Sequence, residues 1–294
     1  MAERTMTAAA APRRPTAPRP RPARIALLLS DVDGTLVTSD KTLTDGSKRA
    51  VGSLRAAGIR FAVTSSRPPA GLRTIVEALG IDTPVAAFNG GMIVAPVDGL
   101  PPLASRLLPP EVGIRAIDFL GARGVDVWVF TAARWLLRDR AGAYVAHEER
   151  TVQFGPTVVE GFGPFLDGVG KLVGVSDDFG LLERCEAEMR REFGVAASVA
   201  RSQRYYLDVA HPLANKGTAV VELAERLGIP VGEIATIGDA PNDVAMFARS
   251  GFSIAMGNAA PAVREAADVA VAATNAEDGF AKAVERYVLG DGRP

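Results

Sequence analysis

Asp31-Val32-Asp33-Gly34-Thr35-Leu36 and Gly238-Asp239-Ala240-Pro241-Asn242-Asp243 lie nearly the whole chain apart, each at the end of an apolar run. Carboxylates at the ends of apolar segments are costly to bring together unless a cation or a reaction uses them. Side chains alternate along a strand, so Asp31 and Asp33 start on the same side before the Gly34-Thr35 turn. Two carboxylates at that spacing can divide a phosphoryl transfer between them. One, ionised, attacks phosphorus; the other shuttles a proton. A carboxylate suits the attacking role because it is already deprotonated at neutral pH and forms a labile acyl phosphate. A divalent cation must neutralise its repulsion from the phosphate dianion. Asp239 and Asp243 supply further hard oxygen ligands, the kind that suits Mg2+. Asn242 can contribute without adding charge. Each motif alone is weak, since an acidic turn or a capped helix start would read the same way. Their conjunction at two strand ends points to a site.

Two elements between them point to phosphate as the ligand. Thr64-Ser65-Ser66-Arg67 ends a second apolar run, where hydroxyls, the arginine and nearby helix N–H groups can hold phosphoryl oxygens. The same residues also read as a helix cap, with Pro68 and Pro69 opening the helix. Lys216 begins a helix, where the macrodipole disfavours a cation. A bound anion explains a lysine there better than local stability does.

The elements that must position these groups alternate. Strand-like Ile25–Ser30 precedes a helix from about Asp45 to Ala57, strand Ile59–Thr64 a helix to about Leu79, and Val85–Phe88 is a third strand. Lys216 to Leu227 is amphipathic, with Val220, Leu223, Ala224 and Leu227 on one face, and Gly228 and Pro230 stop it. Strand Ile234–Ile237, a helix from about Asn242, strands Phe252–Ala255 and Val269–Val271 and a final helix to about Leu289 follow. This alternation predicts an α/β fold with a doubly wound parallel sheet, whose ligands bind beyond the carboxyl ends of the strands. Both acidic motifs sit there. The middle reads as an inserted α+β unit: a hairpin (Met92–Ala95 with Leu103–Leu108), a helix near Glu111–Ala122, and strands Val125–Thr131 and Arg134–Arg138. Strand Lys171–Val175, helix Asp178–Phe193, and strands Val195–Val199 and Arg204–Val209 complete it. The expected division is a core of residues 24–89 and 208–294 and an inserted domain of residues 90–207.

Composition excludes several classes. A net charge of −1 gives no footprint for nucleic acid or a membrane surface, and the apolar runs are too short to span a bilayer. The single cysteine, Cys185, rules out an internal disulfide and fits a reducing, cytoplasmic setting; it reads as a core residue beside Leu182, Met189 and Phe193. Residues 1–23 are rich in Pro and Arg and are expected to be disordered. Arg13-Arg14 is not followed by the hydrophobic segment of an export signal.

In ordered motifs the chain resembles the haloacid dehalogenase superfamily, in particular its Cof-like sugar-phosphatase branch with a large α/β cap. Asp31-Val-Asp-Gly-Thr-Leu36, the Ser65 region, Asn215-Lys216-Gly217 and Gly238 to Asp243 are similar to its four motifs. Further similarity lies in Asn89-Gly90-Gly91, in Ile254 to Ala259, and in Ala267-Asp268 followed by Glu277-Asp278-Gly279. The resemblance implies a Rossmann-like core in which Asp31 is the nucleophile and Asp33 the acid and base. It implies that Ser65 and Lys216 hold the phosphoryl group, and that Asn242 contacts phosphate or a metal-bound water. Asp31, the backbone carbonyl of Asp33, and Asp239 would bind Mg2+, with Asp243 supporting. The inserted unit would be a cap that excludes water and selects substrate.

Two positions depart from the branch. Ser66 stands where glycine is usual, so the phosphate loop shifts or Ser66 joins it; Ala240-Pro241 replaces a glycine and an acidic residue. Candidate substrate contacts are Asn89, Gly90, Tyr144, His147, Arg150, Arg201 and Tyr205. His147 and His211 form no metal cluster, and neither is assigned a catalytic role. The expected function is Mg2+-dependent hydrolysis of a small phosphomonoester, a phosphorylated sugar, polyol or similar metabolite. A phosphosugar mutase with the same aspartyl-phosphate chemistry and a non-catalytic phosphometabolite-binding protein are the rivals. Oligomeric state is not legible.

Overall fold

The computed structural model describes residues 18–97 and 101–290. The chain begins with β1 (Leu27–Asp31), α1 (Asp45–Ala56), β2 (Arg60–Thr64), α2 (Arg73–Leu79) and β3 (Val85–Ala87). A hairpin follows, β4 (Met92–Val94) and β5 (Ala104–Ser105). The inserted unit then comprises α3 (Pro110–Gly121), β6 (Asp126–Thr131), β7 (Trp135–Leu137), α4 (Val145–Val152) and β8 (Thr157–Val158). It continues through β9 (Val169–Val175), α5 (Phe179–Phe193), β10 (Ser198–Gln203) and β11 (Tyr206–Ala210). The chain returns through α6 (Lys216–Leu227), β12 (Ile234–Gly238), α7 (Val244–Phe247) and β13 (Phe252–Ala255), then α8 (Pro261–Ala266), β14 (Val269–Ala270) and α9 (Gly279–Ala283).

Two sheets result. The core sheet is eight-stranded, in the order β14-β13-β12-β1-β2-β3-β4-β5, and all but its β4–β5 end is parallel. β1 is buried along its whole length, as expected of a central strand covered on both faces. Alternation divides it: Leu28 packs in the cluster with Val51, Leu54 and Phe280, and Leu27 and Leu29 in the one with Val220, Leu223 and Phe247. Local signals fix the helices. Thr44 caps α1 by accepting from Ser47 N, Asn215 caps α6 by accepting from Thr218 N, and Gly228 ends α6 in the left-handed region.

The cap sheet is six-stranded, in the order β10-β11-β9-β6-β7-β8. One face, with Val129, Leu172, Leu207 and Val209, packs on α3 and α5 through Leu120, Leu182, Cys185 and Met189. The other carries Trp128, Phe130, Val173 and Tyr206 and joins the core's own cluster. Cys185 is accordingly a core residue.

The expected boundaries need correction at both crossings. The β4–β5 hairpin, placed in the insertion from sequence, extends the core sheet: β4 pairs antiparallel with β3, Val85 with Val94 and Ala87 with Met92, and β5 with β4, Met92 with Ser105 and Ile93 with Ala104. At the return, a division at 207/208 would cut β11, which pairs with β9 through Ala210. The strand expected at Val195–Val199 starts later, because Gly194 and an exposed Val195 form the turn after α5. Of the tail expected to be disordered, residues 1–17 lie outside the described residues. Pro18 to Ala23 do not hang free. Arg19 donates to Asp268 Oδ2 at 2.8 Å and Phe247 O at 2.7 Å, and Arg21 to Val288 O at 2.7 Å. Among the described residues, no helix is long and apolar enough to cross a membrane.

Candidate active site

β1 and β12 are neighbours, with Ser30 opposite Ile237, so their ends bring the two acidic motifs side by side. Two glycines let them close. A Cβ on Gly34, whose φ is +86°, would run into the Asp239 carboxylate, and one on Gly238 into Asp243. Lys216, at the first turn of α6, is 1% exposed; its Nζ donates to Asp31 Oδ1 and Asp243 Oδ1, each at 2.5 Å. The other Asp243 oxygen accepts the N–H groups of Asp239 at 2.9 Å and Ala240 at 2.8 Å. Asp239 accepts from Thr35 Oγ1 at 3.0 Å and Asn258 Nδ2 at 3.1 Å. The dipole cost noted for Lys216 is therefore offset by two buried carboxylates.

The electrostatics follow from this packing. Burial pushes the Asp31 carboxyl well above the ordinary range, opposed by Lys216 and reinforced by Asp243 and Asp239. Burial, with Asp243 next, lifts Asp239 to about 6. Burial alone would lower Lys216, but Asp243 and Asp31 hold it above its ordinary value. Carboxylate oxygens of Asp31, Asp239 and Asp243 come within 4.8 Å of one another. Such a set fits a hard divalent cation. Asp243 has every near contact satisfied by Lys216 and backbone N–H groups, so it supports Asp31 and Asp239 more than it reaches outward.

Asp33 takes a different environment. Its carboxylate receives a bidentate pair from Arg67, at 2.8 and 2.7 Å, and Lys41 Nζ at 2.8 Å. As a metal ligand it would act through its main chain, because these cations claim the side chain. Arg67, expected on phosphate, lines the cavity and is also the bidentate partner of Asp33; its third contact is Gly71 O at 3.2 Å. Burial would raise Asp33, but Arg67 and Lys41 hold it down, at about 2. Because the folded value lies below the ordinary 3.8, the stabilisation is full above that pH and is lost as pH falls toward 2. Arg67→Met should therefore be less stable than wild type by a gap that is full above pH 3.8 and narrows toward pH 2. Urea unfolding across that range measures it, and a pH-independent gap would refute the linkage.

Core and cap enclose a cavity of about 480 Å³ lined by Asp31, Asp33, Lys216, Ser66, Arg67, Asn89 and Asn242 from the core. From the cap come Trp128, His147, Glu148, Lys171, Arg201, Tyr205, Tyr206 and Asp208. Asn242 donates to Asn89 Oδ1 at 3.1 Å. Other expected residues fall elsewhere. Ser65 is 1% exposed beneath the cavity, its Oγ accepting from Arg67 N at 3.1 Å; Ser66 is the hydroxyl that lines it. Gly90 packs against α6, where a Cβ would meet Ala219 at 2.9 Å, and is corrected from substrate contact to a close-approach glycine. Tyr144 stacks on Tyr205 with centroids 4.2 Å apart, and neither it nor Arg150 lines the cavity. Lys41 was not singled out from sequence and lies in no motif; Thr35 and Asn258 fall inside two of the family-like motifs, but no role was assigned to them there.

Comparison with known proteins agrees with this geometry. A profile of haloacid dehalogenase-like hydrolases matches residues 28–284. The chain is 26% identical over 285 residues to the 5-amino-6-(5-phospho-D-ribitylamino)uracil phosphatase YwtE of Bacillus subtilis, covering 88% of this chain and 97% of that protein. It is 27% identical over 232 residues to the HMP-PP phosphatase of Cronobacter sakazakii, covering 79% and 84%. A crystal structure of a haloacid dehalogenase-like hydrolase from Bacteroides thetaiotaomicron superposes with a TM-score of 0.82 at 27% identity, over 90% of this chain and 99% of that one. With the family profile spanning both the strand-end carboxylates and the cap, this chain belongs to the haloacid dehalogenase-like hydrolases, in their Cof-like branch, and is an enzyme of the phosphatase class.

Proposed function

We propose that the protein hydrolyses a small phosphomonoester in a Mg2+-dependent reaction through an aspartyl phosphate on Asp31. The observation that carries this reading is the buried bridge of Lys216 between Asp31 and Asp243, with Asp239 beside them and with Asp31 and Lys216 lining the cavity. It holds one Asp31 oxygen in place at the cavity wall, which supports the use of this carboxylate as the attacking group. Asp31, Asp239 and the main chain of Asp33 would hold the ion, with Asp243 supporting. When bound, Mg2+ supplies charge neutralisation for the phosphoryl oxygens. Asp33 protonates the leaving oxygen and then takes a proton from the water that attacks the aspartyl phosphate. It must first leave part of its contact with Arg67 and Lys41, since a carboxylate held near pKa 2 is a poor acid. Ser66, Asn89 and Asn242 line the cavity, which supports a role for them in holding phosphoryl oxygens. The named substrates of the relatives, a phosphoribitylamino uracil and HMP-PP, support a phosphorylated small metabolite as the substrate class.

The test is phosphate release over a panel of sugar, polyol, nucleotide and cofactor phosphates, with Mg2+ and with chelator. Release that chelator abolishes is the expected result. Release unaffected by chelator would remove the metal from the mechanism. Sugar-dependent isomerisation without release would favour a mutase, and binding without turnover a phosphometabolite-binding protein.

A further inference from the structure

On the cavity face of the cap sheet, the central strands carry the apolar and aromatic Trp128, Val173 and Tyr206 together with two charged residues, Lys171 on β9 and Asp208 on β11. The edge strand β10 adds the polar Ser198, Arg201, Ser202 and Gln203. Lys171 is 8% exposed and Asp208 Oδ2 lies 3.5 Å from its Nζ, the outer limit of a hydrogen bond. The second Asp208 oxygen is buried with no hydrogen-bond partner. The Tyr206 hydroxyl, two residues before, stands beside Glu148 but meets no partner at hydrogen-bond distance and angle. Buried polar groups are paired in nearly every folded protein, because one taken out of water and left unpaired is destabilising. Here the unpaired acceptor and hydroxyl belong to residues that line the same cavity as Asp31.

The charges around them restrict what can pair. The Lys and Arg residues that line the cavity each have a carboxylate partner. Lys41 and Arg67 have Asp33, Lys216 has Asp31 and Asp243, Lys171 has Asp208, and Arg201 has Glu186 at 2.7 Å. Glu148, buried nearby, adds a further acidic group. A second phosphoryl group at the cap end would find no uncommitted lysine or arginine and would face two carboxyl groups. Hydroxyl groups can donate to Asp208 and Glu148 and accept from Lys171 and Tyr206 at once, while a carbon skeleton lies on Trp128.

The geometry points to a leaving-group subsite, formed by Lys171, Asp208, Tyr206 and Glu148 beside Trp128, that selects an uncharged polyhydroxylated leaving group and rejects substrates carrying a second phosphate. This assignment rests on the phosphomonoesterase reading above. Steady-state kinetics test it with pentose, hexose and polyol monophosphates, the bisphosphate counterpart of the best of them, and p-nitrophenyl phosphate, whose leaving group has no further hydroxyl. The best monophosphate should exceed its bisphosphate at least tenfold in kcat/KM. Asp208→Asn, and independently Tyr206→Phe, should lower the ratio of kcat/KM for that monophosphate over p-nitrophenyl phosphate at least fivefold. Should Asp208→Asn not fold, the Tyr206→Phe ratio decides. Equal losses on both esters, an unchanged ratio, or a bisphosphate used as well as its monophosphate would overturn the subsite while leaving the phosphatase reading intact. Wild-type protein that releases phosphate from none of these esters would overturn both.

Discussion

Asp31→Asn should lower phosphate release by at least about 10⁴-fold, the scale seen when a nucleophile is removed from a covalent mechanism. The amide keeps the size of the carboxylate and an oxygen that can accept from Lys216, so the bridge to Asp243 survives. What it lacks is the ionised oxygen that attacks phosphorus. Burial already disfavours the charge at Asp31, and two further carboxylates crowd it. Removing that charge therefore relieves repulsion even as Lys216 gives up one ion pair. The thermal midpoint should stay close to wild type, which separates lost chemistry from lost fold. Release within tenfold of wild type in the folded variant would exclude Asp31 as nucleophile.

Lys216→Met should show the opposite division, with activity and stability falling together. Among the described residues, Lys216 is the one cation hydrogen-bonded to Asp31 and Asp243, which are 4% and 0% exposed. Truncating one partner of a buried ion network leaves the others uncompensated, a cost of about 3–5 kcal/mol. For a chain of this size that lowers the unfolding midpoint by roughly 10 °C. Differential scanning fluorimetry measures the loss. Added Mg2+ should raise the variant's midpoint more than the wild type's, because the carboxylates left without lysine gain more from a cation. A midpoint within 2–3 °C of wild type, roughly 1 kcal/mol, would mean that the lysine is dispensable to the cluster.

These residues were legible from sequence for a physical reason. A carboxylate or lysine at the end of an apolar run conflicts with its local environment, and the conflict is visible without knowing the fold. Lys216 at a helix N-terminus and Asp31 after Leu27 to Ser30 are of this kind. The parallel core was legible because buried strands and amphipathic helices differ in period. Periodicity does not say which sheet a strand joins, and so β4 and β5 were assigned to the cap although β4 pairs with β3 and β5 with β4. Lys171 and Asp208 were missed because they are 37 residues apart and meet only through the pairing of β9 with β11. Lys41 sits in a loop at φ 68°, where no helical or strand pattern marks it as the partner of Asp33. Ser65 and Ser66 were told apart only by the backbone, which turns one hydroxyl inward to Arg67 N and the other to the cavity.

The arginine ahead of β1 bears on a different problem, the exposed margin of the core sheet. β14 forms that margin with two residues, Val269 and Ala270, paired to Ile254 and Ala255. So short a ladder is weakly registered, and an unguarded margin is a template on which a foreign strand can add. Arg19 fastens it from outside the ladder. Its guanidinium ties Asp268, the residue before β14, to the carbonyl of Phe247 ahead of β13, and Asp268 in turn accepts from Ser253 N at 2.9 Å. The sheet thus ends in a charged clip drawn from the segment ahead of β1, which fixes the residue entering β14 to the turn ahead of β13 and places a charge beside that margin.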